Sequence, residues 1–310
     1  MSTPDTFTIR SFASTMTLAF GITMAAAADT ITVCLDGSCD FTDPAAAAAA
    51  ATSGDVIEIA AGTYMLENHF LIYGPSVEIR GAVDGKGRPA TILDGQGDFV
   101  TFGAILLPDS TLRVENVVIT GGFGEYGGGV VIRHGETTFE NCRITGNHAN
   151  IHGGGMFLHH GGTNVTLSGC EITGNTAAHP VFESLGDGGA IFGGVVTLVD
   201  TEVSGNWAQN AGGGFAQNSV VLVGSRICGN DAGLHSPQGY GQVTIITGCI
   251  EESCDCLPVS PADLNGDNAV NGADLGLLLA NWGQPGLGDL NGDDVVGGAD
   301  LGLMLAAWSE

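Results

Sequence analysis

Residues 139–147 read Phe-Glu-Asn-Cys-Arg-Ile-Thr-Gly-Asn, and variants of this stretch recur along the chain. Each copy begins with an apolar residue, has Ile or Val at its sixth position, and ends in Gly followed by Asn or Gly. The ends of successive copies are separated by 25, 28, 31 and 24 residues. The copies are Val114–Gly122, Phe139–Asn147, Leu167–Asn175, Leu198–Asn206 and Leu222–Asn230.

A second element, rich in glycine and then apolar, lies between the copies. It occurs at Gly127–Ile132, Gly153–Leu158, Gly188–Phe192 and Gly212–Phe215. Each unit therefore contains short alternating strands separated by bends, and no unit has enough apolar residues to bury its own face. Stacking the units in parallel solves this problem. The variable spacing disfavours a rigidly periodic left-handed helix and predicts a right-handed parallel β-helix, with about seven to nine turns from about Ile31 to about Ile250.

Strand alternation predicts which residues form columns from turn to turn. The repeats predict inward columns, an outward column of mixed charge, and an asparagine column at a bend, where Asn tolerates a left-handed φ and its amide can bond to the next copy. The inward columns are Val114/Phe139/Leu167/Leu198/Leu222, Ile119/Ile144/Ile172/Val203/Ile227 and Val117/Cys142/Cys170/Thr201/Ser225, the outward column is Val118/Arg143/Glu171/Glu202/Arg226, and the asparagine column is Asn147/Asn175/Asn206/Asn230.

Two stretches resemble known β-helix families. Residues 53–64, with Ile79-Arg80-Gly81 and Thr91–Gly95, resemble the opening turns of pectin-lyase-like proteins. Gly188–Ile191 and Phe139–Cys142 are similar to the repeats of polymorphic outer-membrane β-helix proteins. The resemblance spans roughly residues 29–250 and implies a fold more than an activity.

The composition of the chain disfavours several classes of binding partner. The chain has 51 glycines without a collagen period, and a formal net charge of −26. No basic residue follows Arg226. Nucleic acid and anionic membranes require a basic face and are therefore disfavoured. An acidic polysaccharide is also disfavoured unless a cation bridges it.

The N-terminus predicts export. Arg10, an apolar stretch from Phe12 to Met24 and small residues at 25–28 are typical of a cleaved signal peptide at residues 1–28, and no other stretch is long enough for a membrane span. Residues 45–51 predict a short helix. An even number of cysteines in an exported chain favours disulfides, with Cys34 and Cys39 a plausible pair. For Cys249, Cys254 and Cys256, which cluster at and just before the start of the C-terminal module, with the last two in the Cys/Pro linker 251–262, disulfides are favoured over a zinc site, because the spacing fits no standard ligand pattern and no His is near.

Catalytic residues are hard to assign. A motif like that of a lyase or polygalacturonase site is missing from the sequence. Aligning the glycine triplets places His134 over His160 and Arg133 over His159, with His148 and His152 nearby. This histidine cluster could bind a metal or act as acid and base, although an exposed polar edge at the turn after a strand is the favoured interpretation. Glu171 beside Glu202 could similarly bind a cation, or form surface ion pairs with the flanking arginines.

Two twelve-residue loops stand out near the C-terminus, Asp263–Asp274 and Asp289–Asp300, at an offset of 26 residues. Oxygen donors fall at loop positions 1, 3, 5, 7, 9 and 12, which is the spacing that wraps a hard cation. Three carboxylates per loop favour Ca²⁺ over Mg²⁺, so two Ca²⁺ sites are expected. The predicted ligands are Asp263, Asn265, Asp267, Ala269, Asn271 and Asp274, and Asp289, Asn291, Asp293, Val295 and Asp300.

The tandem loops, each followed by one apolar segment (Leu275–Trp282 and Leu301–Trp308), resemble type I dockerins. The resemblance implies two bound Ca²⁺ ions and helices that bind a cohesin. Position 6 is Asn268 or Asp294 instead of Gly, and Gly297 replaces a side-chain ligand at position 9. The partner-selecting positions are Gly272-Ala273 and Gly298-Ala299, which lack the usual hydroxyls.

The sequence thus predicts a signal peptide (1–28), a right-handed parallel β-helix (29–250), a linker (251–262) and a dockerin-like domain (263–310). We expect a secreted or cell-surface protein that attaches through Ca²⁺ to a cohesin-like scaffold or cell-surface protein and binds glycan. A polysaccharide-degrading hydrolase or lyase and a purely structural stalk are the alternatives.

Overall fold

The computed structural model describes residues 28–74, 76–159, 162–182, 184–251, 254, 260–265, 269–293 and 295–308. The predicted signal peptide, apart from Ala28, and most of the linker lie outside these residues. So do the predicted site residues His160 and Asp267 and the two residues at loop position 6, Asn268 and Asp294. No helix among the described residues is long and apolar enough to cross a membrane.

Short strands dominate the chain, as the alternating pattern predicts. The first nine are β1 (Thr30–Val33), β2 (Val56–Ile59), β3 (Gly62–Met65), β4 (Phe70–Gly74), β5 (Val77–Gly81), β6 (Thr91–Asp94), β7 (Phe102–Leu106), β8 (Thr111–Glu115) and β9 (Val117–Thr120). They are followed by β10 (Phe123–Tyr126), β11 (Val130–Arg133), β12 (Gly135–Glu140), β13 (Arg143–Thr145), β14 (His148–His152), β15 (Met156–Leu158), β16 (Thr163–Ser168), β17 (Glu171–Thr173) and β18 (Thr176–Ala177). The last are β19 (Ile191–Phe192), β20 (Val195–Val199), β21 (Glu202–Ser204), β22 (Trp207–Ala208), β23 (Phe215–Val223), β24 (Ser225–Cys228), β25 (Asp231–Ala232), β26 (Gly239–Ile245) and β27 (Gly248–Glu251).

These strands stack into a parallel β-solenoid of about eight turns. One ladder runs β1-β2-β5-β8-β12-β16-β20-β23-β26 and a second runs β4-β7-β11-β15-β19-β23, so that the long β23 joins them into one sheet. A third ladder runs β3-β6-β9-β13-β17-β21-β24-β27, and a short fourth runs β10-β14-β18-β22-β25. The predicted parallel solenoid, from about Ile31 to about Ile250, is confirmed.

The core consists of the predicted columns. Val114, Phe139, Leu167, Leu198 and Leu222 are paired in register on successive turns, and all are buried. The Ile119 column is paired and buried in the same way. Cys142 and Cys170 are free thiols that stack in the buried third column, with the Cys142 N–H 3.4 Å from Cys170 Sγ.

The bends differ from the prediction in one respect. The asparagine ladder forms, since Asn147 Nδ2 donates to Asn175 Oδ1 (2.9 Å) and Asn175 Nδ2 donates to Asn206 Oδ1 (2.9 Å). The left-handed φ, however, belongs to the glycine before each asparagine, such as Gly174 at +65°. Assigning it to asparagine was wrong, because the side chain must point inward to reach the next turn while the preceding glycine makes the bend.

The two ends of the solenoid are different. Helix α1 (Pro44–Ala50) lies at the first end, where Asp43 caps its N-terminus and Ala47 and Ala48 join the core. The disulfide Cys34–Cys39 lies close by. At the other end β26 pairs only with β23 among the described strands, and a disulfide joins Cys228 of β24 to Cys254. Cys249 is also disulfide-bonded.

Beyond the solenoid, two loop–helix repeats form a second small core. Helices α2 (Gly272–Ala280) and α3 (Gly298–Ala306) begin three residues earlier than the predicted apolar segments and end before Trp282 and Trp308. The helices start early because Asn271 and Gly297 serve as N-caps. Residues 26 apart in sequence pack together in this core, which contains Ala262, Val270, Leu278, Val296 and Met304, with Leu264, Leu275, Leu290 and Leu301 against it.

Candidate functional site

A groove of about 750 Å³ runs along the outer face of the second ladder. Its floor is one outward column, in which Leu71, Gly103, Val131 and Phe157 are paired in register. Because residue 103 is glycine, no side chain rises from the floor at this point. A Cβ there would lie 3.0 Å from Leu71 Cδ1. The lining residues are His69, Leu71, Val100, Gly103, Ala104, Ile105, Glu125, Tyr126, Val131, Arg133, Phe157 and His159.

One wall of the groove is aromatic. Tyr126 projects from β10, and its ring centroid lies 5.1 Å from that of Phe157. Phe157 in turn stacks almost parallel to Phe192, with centroids 5.7 Å apart. Phe192 is the register partner of Phe157 on the following turn and is buried, so it supports the Phe157 ring from that side.

The polar groups of the groove lie around this apolar floor. Arg133, His159, His69 and Glu125 are exposed lining residues. His69 Nδ1 lies 2.8 Å from the carbonyl oxygen of Val100, which can only accept, so Nδ1 donates in this contact. The other five arginines that the structure describes each pair with a carboxylate, whereas Arg133 does not.

The predicted histidine site is only partly assembled. The β11–β15 register continues to place Arg133 beside His159, as the glycine alignment indicates, and both line the groove. His134 occupies the following corner with φ +62°, and its ring lies 5.9 Å from that of His159 without lining the groove. His160 lies outside the described residues. Sequence reasoning missed Tyr126, Phe157 and Glu125, although strand alternation already points Phe157 outward.

A buried histidine–aspartate pair adjoins the aromatic wall. His152 stacks on Phe192 at 4.2 Å, and its Nδ1 lies 3.7 Å from Asp187 Oδ2. Burial lowers the pKa of His152, while the charge of Asp187 acts in the opposite direction. Asp187 also accepts hydrogen bonds from Asn210 Nδ2 (2.7 Å) and the Tyr240 hydroxyl (3.2 Å). Its carboxylate is therefore used in joining three successive turns at this corner.

The outward charged column forms ion pairs. Arg143 Nε lies 2.8 Å from Glu171 Oε2, and Arg226 pairs with Glu202. Hydrogen bonds from Ser204 and then from Arg226 lower the pKa of Glu202. This arrangement favours the salt-ladder interpretation of Glu171 and Glu202 over a cation site.

The first C-terminal loop is built around Asp274. This carboxylate is buried, and it accepts the N–H groups of Asn265 (3.1 Å) and Asn271 (2.9 Å). Burial raises its pKa, but the N–H donors outweigh burial and lower it. Asp263 is also buried, Asn265 is exposed, and the Asn271 side chain spans Ala269 O and the Ala273 N–H.

The second loop repeats this plan. Asp300 accepts the N–H groups of Gly297 (2.6 Å), Leu290 (2.8 Å) and Asn291 (3.1 Å), which lower its pKa. Asp289 accepts N–H groups from Gly292 and Asp293, and Asp293 accepts that of Val295.

The donor chemistry of both loops suits a hard cation, because two ionised carboxylates are buried and no Lys or Arg follows Arg226. Within the described residues, however, no three His, Cys, Asp or Glu side chains converge on one point.

Comparison with known proteins identifies one family. The family model described as "Right handed beta helix region" matches residues 102–274, which is more than half of the chain. No curated protein and no solved structure matches the chain.

Proposed function

The chain belongs to the right-handed β-helix family, and from this premise we propose that it is an exported surface protein that binds glycan in its outer groove and is attached through its C-terminal module. The observation that carries the proposal is the groove itself, with two supported aromatic rings on one side and a few polar groups around an apolar floor. This is the usual construction of a small-ligand site.

The chemistry of the groove suits a sugar chain. One face of a pyranose ring presents C–H groups, which pack against aromatic rings such as Tyr126 and Phe157, while its hydroxyls require polar partners. Arg133 and Glu125 supply donors and acceptors, and at neutral pH their charges cancel. An uncharged glycan therefore fits better than a strongly acidic one, in keeping with the net charge of −26.

A glycan panel tests this proposal. Tyr126→Ala removes the exposed ring, and we expect glycan affinity to fall about fivefold, since an aromatic contact contributes roughly 1 kcal/mol beyond burial. Tyr73→Ala is the matched control, because Tyr73 is an exposed tyrosine on β4 of the second ladder that does not line the groove. Equal affinity of both variants, or no binding by the native protein, would refute a glycan site here.

Attachment is assigned to residues 263–310. Asp263, Asn265, Asp267, Asn271, Asp274 and the Ala269 carbonyl would hold one Ca²⁺, and Asp289, Asn291, Asp293, Asp300 and the Val295 carbonyl a second. Bound calcium would neutralise part of the negative charge of residues 263–310, a stretch whose sequence contains no Lys or Arg. Because the described carboxylates bond to loop N–H groups instead of converging, binding would require these loops to rearrange.

The partner of this module is proposed to be a cohesin-like scaffold or cell-surface protein. Support comes from the exposed apolar side chains of Leu279, Leu303 and Leu305 on the two helices. Binding of the full chain to an immobilised cohesin, with Ca²⁺ and then with a chelator, tests the assignment. Binding that a chelator leaves unchanged would contradict calcium-dependent attachment.

Export is supported by the N-terminal sequence pattern and by disulfides at Cys34–Cys39 and Cys228–Cys254, which persist in oxidising compartments. Mass spectrometry of the secreted protein should find a chain that begins near Asp29. An unprocessed chain retained inside the cell would contradict export.

A polysaccharide-degrading enzyme is the second candidate, favoured by Arg133 and His159 in one groove. Glu125 is the one carboxylate among the described lining residues, so two-carboxylate hydrolysis is less well supported than elimination. In an elimination a base removes the proton beside a substrate carboxylate, the glycosidic C–O bond breaks, and the leaving oxygen is protonated. Release of unsaturated products that disappears in His159→Ala, with His134→Ala as control, would establish this activity.

A further inference from the structure

The last turn of the solenoid leaves its hydrophobic core open. Val243 of β26 is in register with Val220, and Ile245 is in register with Leu222. Val220 and Leu222 are 2% and 0% exposed, whereas Val243 and Ile245 are 38% and 49% exposed. At this last turn the inward-facing side chains of β26 are therefore only partly buried, and a further layer packed against them would cover them.

One backbone edge of the same strand also has no partner among the described strands. Ile246 N–H donates to Leu222 O, so the even-numbered residues of β26 direct their backbone groups toward β23. Alternate residues of a strand point their N–H and C=O groups to opposite sides. The groups of Gly241, Val243 and Ile245 consequently face away from β23, and no described strand pairs with them.

Natural sheets protect such edges with charges, prolines, bulges or covering segments. This edge has no charge, because residues 232–250 contain no Asp, Glu, Lys or Arg. It contains no proline within β26, and the strand is seven residues long. In a chain with a net charge of −26, an end without Asp, Glu, Lys or Arg is the surface on which two copies could approach each other with the least repulsion.

We infer that two copies of this protein associate end to end, by antiparallel pairing of β26 with its symmetry mate. A two-fold axis at Val243 would place Val243 opposite Val243 and Gly241 opposite Ile245, both on the core side. On the outer side Gln242 would face Thr244, an amide against a hydroxyl. The pairing is thus self-complementary in size and in polarity, as a two-fold interface requires.

The disulfide Cys228–Cys254 fixes residue 254 to β24, which belongs to the third ladder and not to the ladder that ends in β26. Cys254, the one described residue between Glu251 and Ser260, is therefore held at the third ladder and not at β26. The inference does not depend on the groove or on calcium.

Sedimentation velocity of the full chain across the micromolar range tests the dimer, and added salt should strengthen it by screening the two negative copies. Val243→Asp would place two carboxylates face to face, and we expect it to weaken association about a hundredfold or more. Val195→Asp is the matched control, because Val195 is 46% exposed on the outer face of the first ladder, away from the open end. Ile245→Lys provides a second variant, and circular dichroism checks that each variant is folded.

The dimer is supported if the native chain and Val195→Asp associate while Val243→Asp and Ile245→Lys are folded monomers. A native chain that is monomeric at all concentrations overturns the proposed dimer. If the β26 amides of that monomer are protected from hydrogen exchange, the chain's own C-terminal module is the segment that covers this end. A dimer that survives both β26 substitutions also overturns the proposal.

Discussion

At the scale of single residues, the asparagine ladder stabilises the solenoid through satisfied buried amides. Asn175 is fully buried, and its side chain donates to Ile144 O (2.8 Å) and Asn206 Oδ1 while accepting from Asn147 Nδ2 and the Asn147 N–H. One side chain therefore satisfies polar groups on three successive turns. Each such group would cost free energy if it were buried without a partner.

Replacing Asn175 should be correspondingly damaging. We expect Asn175→Ala to lower the free energy of unfolding by roughly 2–4 kcal/mol, because several buried donors and acceptors lose their partner at once. Asn164→Ala is the control, since Asn164 is exposed on β16. Urea denaturation compares the two, and similar small losses in both variants would contradict a structural role for the ladder.

The hydrogen bonds of Asp55 lead us to expect that acid lowers the stability of the first turn. Its pKa is lowered from the ordinary 3.8 by the N–H of Asp29 (2.9 Å) and then by that of Thr52 (2.7 Å). A depressed folded-state pKa contributes stability that is complete above 3.8 and is lost as the pH falls through the lower folded value. Melting curves of the native chain and Asp55→Asn should therefore differ at neutral pH and converge as the pH falls through the lowered folded-state pKa of Asp55. A difference that is constant with pH would contradict this origin.

The residue scale also shows where sequence reasoning succeeds. The columns of Phe139 and Ile144 could be predicted, because alternation and repeat spacing fix the register once the strands stack. The left-handed bend at Gly174 instead of Asn175 could not, since both residue types tolerate that conformation and only the inward amide contacts decide between them. The groove residues Tyr126 and Phe157 come from different strands, and the sequence alone gives no distance between them.

At the scale of elements, the glycine-rich segments allow the backbones of successive turns to approach each other closely. A Cβ on Gly128 would lie 2.5 Å from the carbonyl oxygen of Gly154, and one on Gly189 would lie 2.5 Å from that of Gly213. These glycines form a column in which successive turns touch through their backbones. The segments are thus needed for close approach, which the sequence pattern correctly indicates.

A single methyl group in this column should disrupt packing. Gly154→Ala directs a Cβ against the backbone of Thr176 and of Gly189, and we expect a loss of roughly 2–3 kcal/mol in the free energy of unfolding. Gly85→Ala is the control, because a Cβ there meets no atom within 4 Å. A change in Gly154→Ala no larger than in Gly85→Ala would show that the turns can separate at little cost.

The two C-terminal loops differ at loop position 9, one of the predicted calcium-ligand positions. Asn271 and Gly297 occupy equivalent N-caps, but only Asn271 brings a side-chain oxygen. We expect the first loop to bind Ca²⁺ more tightly, Asn271→Gly to weaken it toward the affinity of the second loop, and Gly297→Asn to strengthen the second. Calorimetric titration of the three full-length proteins measures both sites. Two equal sites in the native chain, or an unchanged first site in Asn271→Gly, would contradict the order.

At the scale of the whole molecule, the solenoid and the C-terminal repeats have separate cores. The solenoid core extends from Val33 to Ile227, whereas the second core begins at Ala262, and the two share no residue. The second core is much smaller than the first. Small cores are only marginally stable without a bound metal or a covalent cross-link. The stability of the two parts should consequently respond to different conditions.

Calcium should therefore shift one unfolding transition and leave the other in place. A ligand that binds only the folded state stabilises it by RT ln(1 + [L]/Kd), about 2.7 kcal/mol when Ca²⁺ exceeds Kd a hundredfold. In a Trp207→Phe background, fluorescence from Trp282 and Trp308 reports the C-terminal repeats, while far-ultraviolet circular dichroism reports mainly the solenoid. We expect Ca²⁺ to raise the first midpoint alone, and Mg²⁺ at equal ionic strength to act weakly, because it demands octahedral geometry and dehydrates reluctantly. A single transition that moves as a unit with Ca²⁺ would mean that the two cores unfold together, and no shift at millimolar Ca²⁺ would exclude the loops as calcium sites.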